Sequence, residues 1–288
     1  MVVAVAAAAG AWHASVEPEA ASVAVVSSAA AAAESEAALA GVWWLHEPGV
    51  SGDPVRFYYF HGDGTGLYRY GVVGHSYTHS FDYAVDGTRL SLHFRKTGAA
   101  HDTQFSVEYG GAGERDWLTF TEDARESAGA RYYRVPGDEG MREQTEVALD
   151  PASDGPPPAG HMWIDLQSFA TGGQGFYFYQ LRPAGIDGRG VGWFHRGDFD
   201  DWSTESLTYR IAEGPARLEI HFDVVGTTAT TPLTLAGSQR QRTLTLQADP
   251  RDFGQTHVYK DAGRSFGTAT ALDAAGLDPR LAAVVTRF

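Results

Sequence analysis

Gly41-Val42-Trp43-Trp44, Phe57-Tyr58-Tyr59-Phe60 and Arg89-Leu90-Ser91-Leu92-His93-Phe94 return later in the chain in the same order. They reappear as Gly160-His161-Met162-Trp163, Phe176-Tyr177-Phe178-Tyr179 and Arg217-Leu218-Glu219-Ile220-His221-Phe222. Self-similarity at long spacing means one structural unit is used more than once. The repeat continues with Trp117-Leu118-Thr119-Phe120 against Thr243-Leu244-Thr245-Leu246. It ends with Tyr132-Tyr133-Arg134 against Val258-Tyr259-Lys260. The second copy carries a small insertion around Arg182 to Trp202.

Each copy alternates apolar and polar residues with period two, between turn signals such as Asp63-Gly64 and Asp86-Gly87. The first copy predicts strands near 41–47, 55–61, 66–73, 75–85, 89–96, 103–109, 115–122 and 131–135. The second predicts them near 161–168, 174–182, 189–196, 203–212, 217–225, 230–236, 242–248 and 256–260. The connections are too short for parallel crossovers, so the strands are antiparallel. Eight up-and-down strands close into a barrel whose interior can hold one small ligand. The expectation is all-β: two tandem eight-stranded antiparallel barrels packed together, with short terminal helices. A pair of β-sandwiches is the alternative. Triple proline at 156–158 marks the boundary between copies, since proline lacks a ladder donor and favours an extended spacer. The divisions are a leader over 1–40 (an Ala-rich helix or disordered), barrel one over 41–135, a Pro-rich linker over 136–159, barrel two over 160–262 and a C-terminal segment over 263–288 with a short helix near Pro279.

Gly41-Val42-Trp43 resembles the Gly-x-Trp that opens the first strand of the lipocalin or calycin superfamily. The resemblance implies that this Trp packs at the closed end of the barrel against a basic residue of the last strand. Arg134 has the matching place, with Lys260 as its counterpart. Phe60-His61-Gly62-Asp63-Gly64-Thr65 resembles the second-to-third strand hairpin of small bacterial lipocalin-like domains. Two such units in one chain are similar in architecture to carotenoid-hydratase and Diels–Alderase-type proteins, without a matching catalytic motif. The second copy departs from the pattern, with Gly160-x-x-Trp163 and no Asp-Gly-Thr.

Alternation assigns faces. Over 75–85, His75, Tyr77, His79, Phe81, Tyr83 and Val85 share one face, and the small polar Ser76, Thr78, Ser80 and Asp82 share the other. The first set is expected to point inward. In the second copy, Ser203, Glu205, Leu207, Tyr209 and Ile211 are expected inward, with Glu205 standing where His79 stood. Aromatic residues occupy both faces of 57–61 and 176–179, so the outer faces of these strands are expected to be covered, one barrel packing on the other. His93 and His221 alternate with inward Leu and Phe, and are expected outside.

The chain has 288 residues, 43% hydrophobic and 12% aromatic, so it fills a large core. A net charge of −14 argues against nucleic-acid binding, which needs a basic face. No apolar run is long enough to insert in a membrane. Cys and Asn are both absent, which excludes disulfides, thiolate metal sites, a Cys nucleophile and N-glycosylation. Val2 to Ala9 resembles a short signal core but lacks a basic flank, and localisation is left open with the cytoplasm favoured over secretion.

His61, His75 and His79 suggest zinc or haem iron, but two lie four residues apart on one strand, about 13 Å along the backbone. No metal and no cofactor are therefore expected. His195 to Trp202, with three Asp, is a candidate calcium loop or a lid carrying Trp202. His75, His79, Tyr83, His195 and Glu205 are the candidate acid–base residues. Trp44, Tyr59, His61, Tyr77, Phe81, Phe176, Phe178, Trp193, Trp202 and Tyr209 are the candidate ligand-lining residues. They suit a cofactor-free cyclase, isomerase or hydratase acting on a hydrophobic small molecule. The alternatives are a carrier for such a molecule and a tandem barrel with no open cavity, as a monomer or homodimer.

Overall fold

A computed structural model describes residues 33–264 apart from 47–49, 51, 128, 135–156, 171, 213, 215 and 239–240. The start of the leader, most of the linker and the expected C-terminal helix lie outside the described residues. A short helix over 33–39 leads into the first strand.

The first eight strands are β1 (Gly41–His46), β2 (Pro54–Phe60), β3 (Thr65–Val72), β4 (His75–Asp86), β5 (Arg89–Phe94), β6 (Ala99–Glu108), β7 (Asp116–Phe120) and β8 (Arg131–Arg134). Each pairs antiparallel with the next, and β8 returns to β1 through Trp44 and Tyr133. This is a closed eight-stranded barrel. Eight further strands follow: β9 (His161–Ser168), β10 (Gln174–Leu181), β11 (Arg189–Asp198), β12 (Asp201–Ala212), β13 (Arg217–Phe222), β14 (Thr227–Ala236), β15 (Thr243–Leu246) and β16 (His257–Arg264). They also pair in sequence, and β16 pairs with β9.

Side-chain alternation produces these strands. In β5, Leu90, Leu92 and Phe94 are buried while Arg89 and His93 are exposed. The first barrel is filled by its own rings. The Tyr58 ring lies within 6.0 Å of those of Phe60, Tyr68, Phe81, Phe120 and Tyr132. A buried ring needs a partner for its hydroxyl. The Asp123 carboxylate accepts from Tyr58 at 3.0 Å and Tyr132 at 2.6 Å.

Trp43 is fully buried, and the Arg134 guanidinium lies 4.4 Å from its ring centroid. Arg134 also donates to the Ala40 carbonyl at 2.7 Å and to Asp116 at 3.0 Å. The pairings shift the repeat by one or two residues at its ends. Trp43 opposes Tyr58, as Trp163 opposes Tyr179. Trp43 therefore corresponds to Trp163, and Tyr132 corresponds to Tyr259. The counterpart of Arg134 is Asp261, not Lys260, which is exposed. Asp261 pairs with Arg242 at 3.4 Å, so the ion pair between the last two strands is kept with its polarity reversed.

The halves meet edge to edge. β4 and β12 are twelve residues each, and their leading ends pair: His75 with Glu205, Tyr77 with Ser203 and His79 with Asp201. Their trailing ends pair within their own halves, with β5 and β13. The register gives the seam an approximate two-fold axis through the Tyr77–Ser203 pair. Tight approaches at the preceding hairpins require glycine. Gly71 and Gly197 have φ of +137° and +154°, and a Cβ at either would strike backbone of the following strand. Behind the seam, Leu67 and Tyr59 pack against Met162, Ile164, Phe176, Phe178, Trp202 and Ala262. Thr78 and Ser80 are buried on that face, small enough to let the sheet approach its cover.

Candidate functional site

The front face of the seam carries a cleft of about 460 Å³. β4 supplies His75 and Tyr77, β11 supplies Phe194 and Arg196, and β12 supplies Ser203 and Glu205. The loop after β15 supplies Pro250, Arg251 and Phe253. The volume falls within the range of small-molecule sites, about 300–1,000 Å³. Three of the residues expected from sequence meet here: His75, Tyr77 and Glu205. They come together because β4 and β12 pair, which places His75 directly opposite Glu205.

Glu205 forms an ion pair with Arg251, whose guanidinium also lies 3.5 Å from the Phe222 ring centroid. The Arg251 loop is built on Asp249, which is fully buried. Its carboxylate accepts from Tyr179 at 3.0 Å, from Tyr259 at 2.5 Å and from the Arg251 amide at 2.8 Å. Burial pushes both phenols well above their usual range, so they donate at every ordinary pH. The loop ends on Phe253, at φ 51° and 93% exposed. The left-handed region is costly for a bulky side chain, on the order of 1–3 kcal/mol. This ring stands in the open at the rim of the cleft.

His79 lies beside the cleft. Its Nδ1 is 3.5 Å from Asp201 Oδ1, and its Nε2 is 3.4 Å from the Tyr70 hydroxyl. Burial pushes the His79 pKa down, Asp201 opposes this, and Arg125 adds to it. The rings of His79, Tyr70 and Tyr77 stack, Tyr70 lying 5.4 Å from His79 and 5.5 Å from Tyr77.

The other expected site residues lie elsewhere. Phe81 and Tyr83 belong to the packed core of the first barrel. The Tyr83 hydroxyl accepts from the Gly62 amide at 3.2 Å, and burial raises its pKa to about 12. Tyr209 is in the core of the second half and donates to the Arg182 carbonyl. Phe176, Phe178 and Trp202 are in the apolar layer behind the seam, with Tyr59 against it. Trp44 packs with Val42, Val55 and Phe57 on the opposite face of β1 and β2 from the barrel core. His61 bonds Thr65 at 2.9 Å at the hairpin end of β3, while His75 pairs with Val72 at the other end. Trp193 is stacked by Arg182 at 4.7 Å.

His195 is fully buried behind the seam, with Nδ1 3.0 Å from Thr204 Oγ1. Burial, helped by the field of Arg69, lowers its pKa to about 3, so it is neutral at ordinary pH. The Asp198–Asp201 loop is used internally. Asp198 accepts the amides of Asp200 and Asp201 at 2.9 Å and pairs with Lys96, and Ser80 donates to Asp200 at 3.0 Å. No cluster of three or more potential metal ligands occurs among the described residues. No helix among them is long and apolar enough to cross a membrane.

Arg196, Arg251 and Phe253 are absent from the sequence-based set. One signal was available. Asp123-Ala124-Arg125 and Asp249-Pro250-Arg251 each begin three residues after the seventh strand of their copy. In both, the Asp clamps two tyrosines and the Arg covers a phenylalanine, Arg125 lying 3.8 Å from the Phe94 centroid. No protein-family model, no curated protein and no solved structure matches the chain.

Proposed function

We propose that the chain is a tandem pair of lipocalin-like barrels acting on a hydrophobic small molecule in the seam cleft, as a cofactor-free cyclase- or isomerase-type enzyme. The observation that carries this is the direct opposition of His75 and Glu205, one from each half, in the cleft. The His75 imidazole is the group proposed to accept and return a proton of the substrate. The Glu205–Arg251 pair supplies fixed charges of both signs to a developing dipole, and Tyr77 and Phe253 offer faces against which a flexible substrate folds.

The test begins with mass spectrometry of whatever small molecule co-purifies with the full chain. That compound is then returned to stripped protein. A change of mass or of chromatographic retention, lost in His75→Ala while binding persists, supports catalysis. Conversion unaffected by His75→Ala removes that residue. A second reading, a carrier, is favoured by the ion pairing of Glu205, since its carboxylate is already engaged by Arg251. Recovery of the compound unchanged from wild-type protein would select it.

A further inference from the structure

We infer that the ligand of the seam cleft is a small aromatic molecule bearing one anionic group, which Arg196 receives. This rests on the cleft being the binding site, and it names the chemistry of what enters. Arg196 is an exposed cation lining the cleft, and no carboxylate pairs with it among the described residues. That is notable in a chain with 36 acidic residues against 22 Lys and Arg. Other arginines around the seam are engaged: Arg251 with Glu205, Arg95 with Asp82, Arg210 with Glu219. The guanidinium of Arg196 rests 5.7 Å from the Tyr177 ring centroid. On the cleft side its strand neighbour is Ser203, which bonds only the Arg196 carbonyl, at 3.3 Å. The planar fork is therefore left to meet an anion from solution.

The rings point to the rest of the ligand. Tyr77 is 41% exposed and Phe253 is 93% exposed, although such residues normally bury their faces. Neither exposure is incidental. Tyr77 is stacked on Tyr70 at 5.5 Å, and the Phe253 loop is tied to Asp249, whose amide donates to Gln255 at 2.8 Å and whose carbonyl accepts from Gly254 at 2.9 Å. The Tyr77 ring is preorganised by its stack and the backbone that carries Phe253 is fixed, so part of the ordering entropy is already lost before a ligand ring covers them. The net charge of −14 repels an anion at long range, so selection has to come from this local contact.

The test uses the full chain and two fluorescent probes with one ring system: 1-anilinonaphthalene-8-sulfonate and the uncharged N-phenyl-1-naphthylamine. The sulfonate is expected to bind one site about tenfold tighter than the neutral probe. Arg196→Gln should erase that difference and leave the neutral probe unchanged. Tyr77→Ala and Phe253→Ala should weaken both probes, with the near-ultraviolet dichroism otherwise preserved. Equal affinity of the two probes, or indifference of the sulfonate to Arg196→Gln, would overturn the anionic class while the cleft survives. Indifference of both probes to Tyr77→Ala and Phe253→Ala would overturn the cleft itself, and the class with it.

Discussion

Behind the seam, the two halves solve one problem with different side chains. In the first, Arg69 is buried, its Nε donates to Thr78 Oγ1 at 2.8 Å, and it lies 5.6 Å from the Phe57 ring centroid. In the second, His195 bonds Thr204 Oγ1 at 3.0 Å and stacks on Phe178 at 5.3 Å. The seam two-fold relates Thr78 to Thr204 and Arg69 to His195. Burial pushes the Arg69 pKa down to about 9, which still leaves a cation at neutral pH. A second guanidinium in the same dry layer would face the first without solvent to screen it. Imidazole avoids this by staying neutral. The lesson is that a pseudo-symmetric interface tolerates a buried charge on one side only.

That asymmetry is open to attack by substitution. His195→Arg places a second buried cation in the layer, and is expected to cost roughly 3–5 kcal/mol in urea denaturation. Near-normal stability would show that the layer is wet. The Asp clamps come next. Asp249→Ala strands two buried phenols and a backbone amide, with an expected loss of about 3 kcal/mol. Asp123→Ala should cost less, because Asp123 is partly exposed and water can reach the orphaned groups. Equal losses would mean that burial does not separate the clamps.

The third prediction concerns pH. His195 has a folded pKa of about 3, below its unfolded value near 6.5. Between those values the unfolded chain binds the proton and the folded chain does not. Stability is therefore fully present above about 6.5 and falls as pH drops toward 3. From pH 7 to pH 4.5 the contribution of this group is on the order of 2–3 kcal/mol. Melts of wild type and His195→Gln across that range measure it. The variant should lose less stability on acidification, and parallel curves would contradict the assignment. The smallest effect tests the reversed ion pair. Arg134→Ala removes the cover of Trp43 and leaves Asp116 without its cation, with only the Gly110 amide still donating to it, at a cost of about 2 kcal/mol. The double exchange Asp116→Arg with Arg134→Asp should recover part of the loss, by copying the polarity of Arg242 and Asp261.

Much of the fold was legible because period-two alternation is a local signal. All sixteen expected strands have counterparts, and the inward face of the β4 trailing end, with Phe81 and Tyr83, was read from the small polar residues between them. A helix was one of two readings of the Ala-rich leader, and the structure has one over 33–39, just before the first strand. The site was legible only in part. His75, Tyr77 and Glu205 were named, but as linings of separate interiors. They meet because strands far apart in sequence pair, and nothing local encodes that pairing. His195 was named as a candidate acid–base residue, but Phe194 before it turns into the core of the second half, and alternation along β11 places His195 behind the seam, away from the cleft. Arg251 and Phe253 sit on a loop, where no period exists to read.

The sequence alone determined the antiparallel strands, the doubling of one unit and the excess of rings that fills it. These follow from the alternation of side chains along a pleated backbone and from the turn chemistry of Asp-Gly pairs. The tertiary structure alone decided that the first barrel is packed with its own rings, and that a cleft opens where β4 meets β12. A strand's edge hydrogen bonds are satisfied by any partner of suitable register, so sequence periodicity cannot choose the partner. The choice depends on the close approach allowed at Gly71 and Gly197 and on the apolar layer assembled behind Thr78 and Trp202.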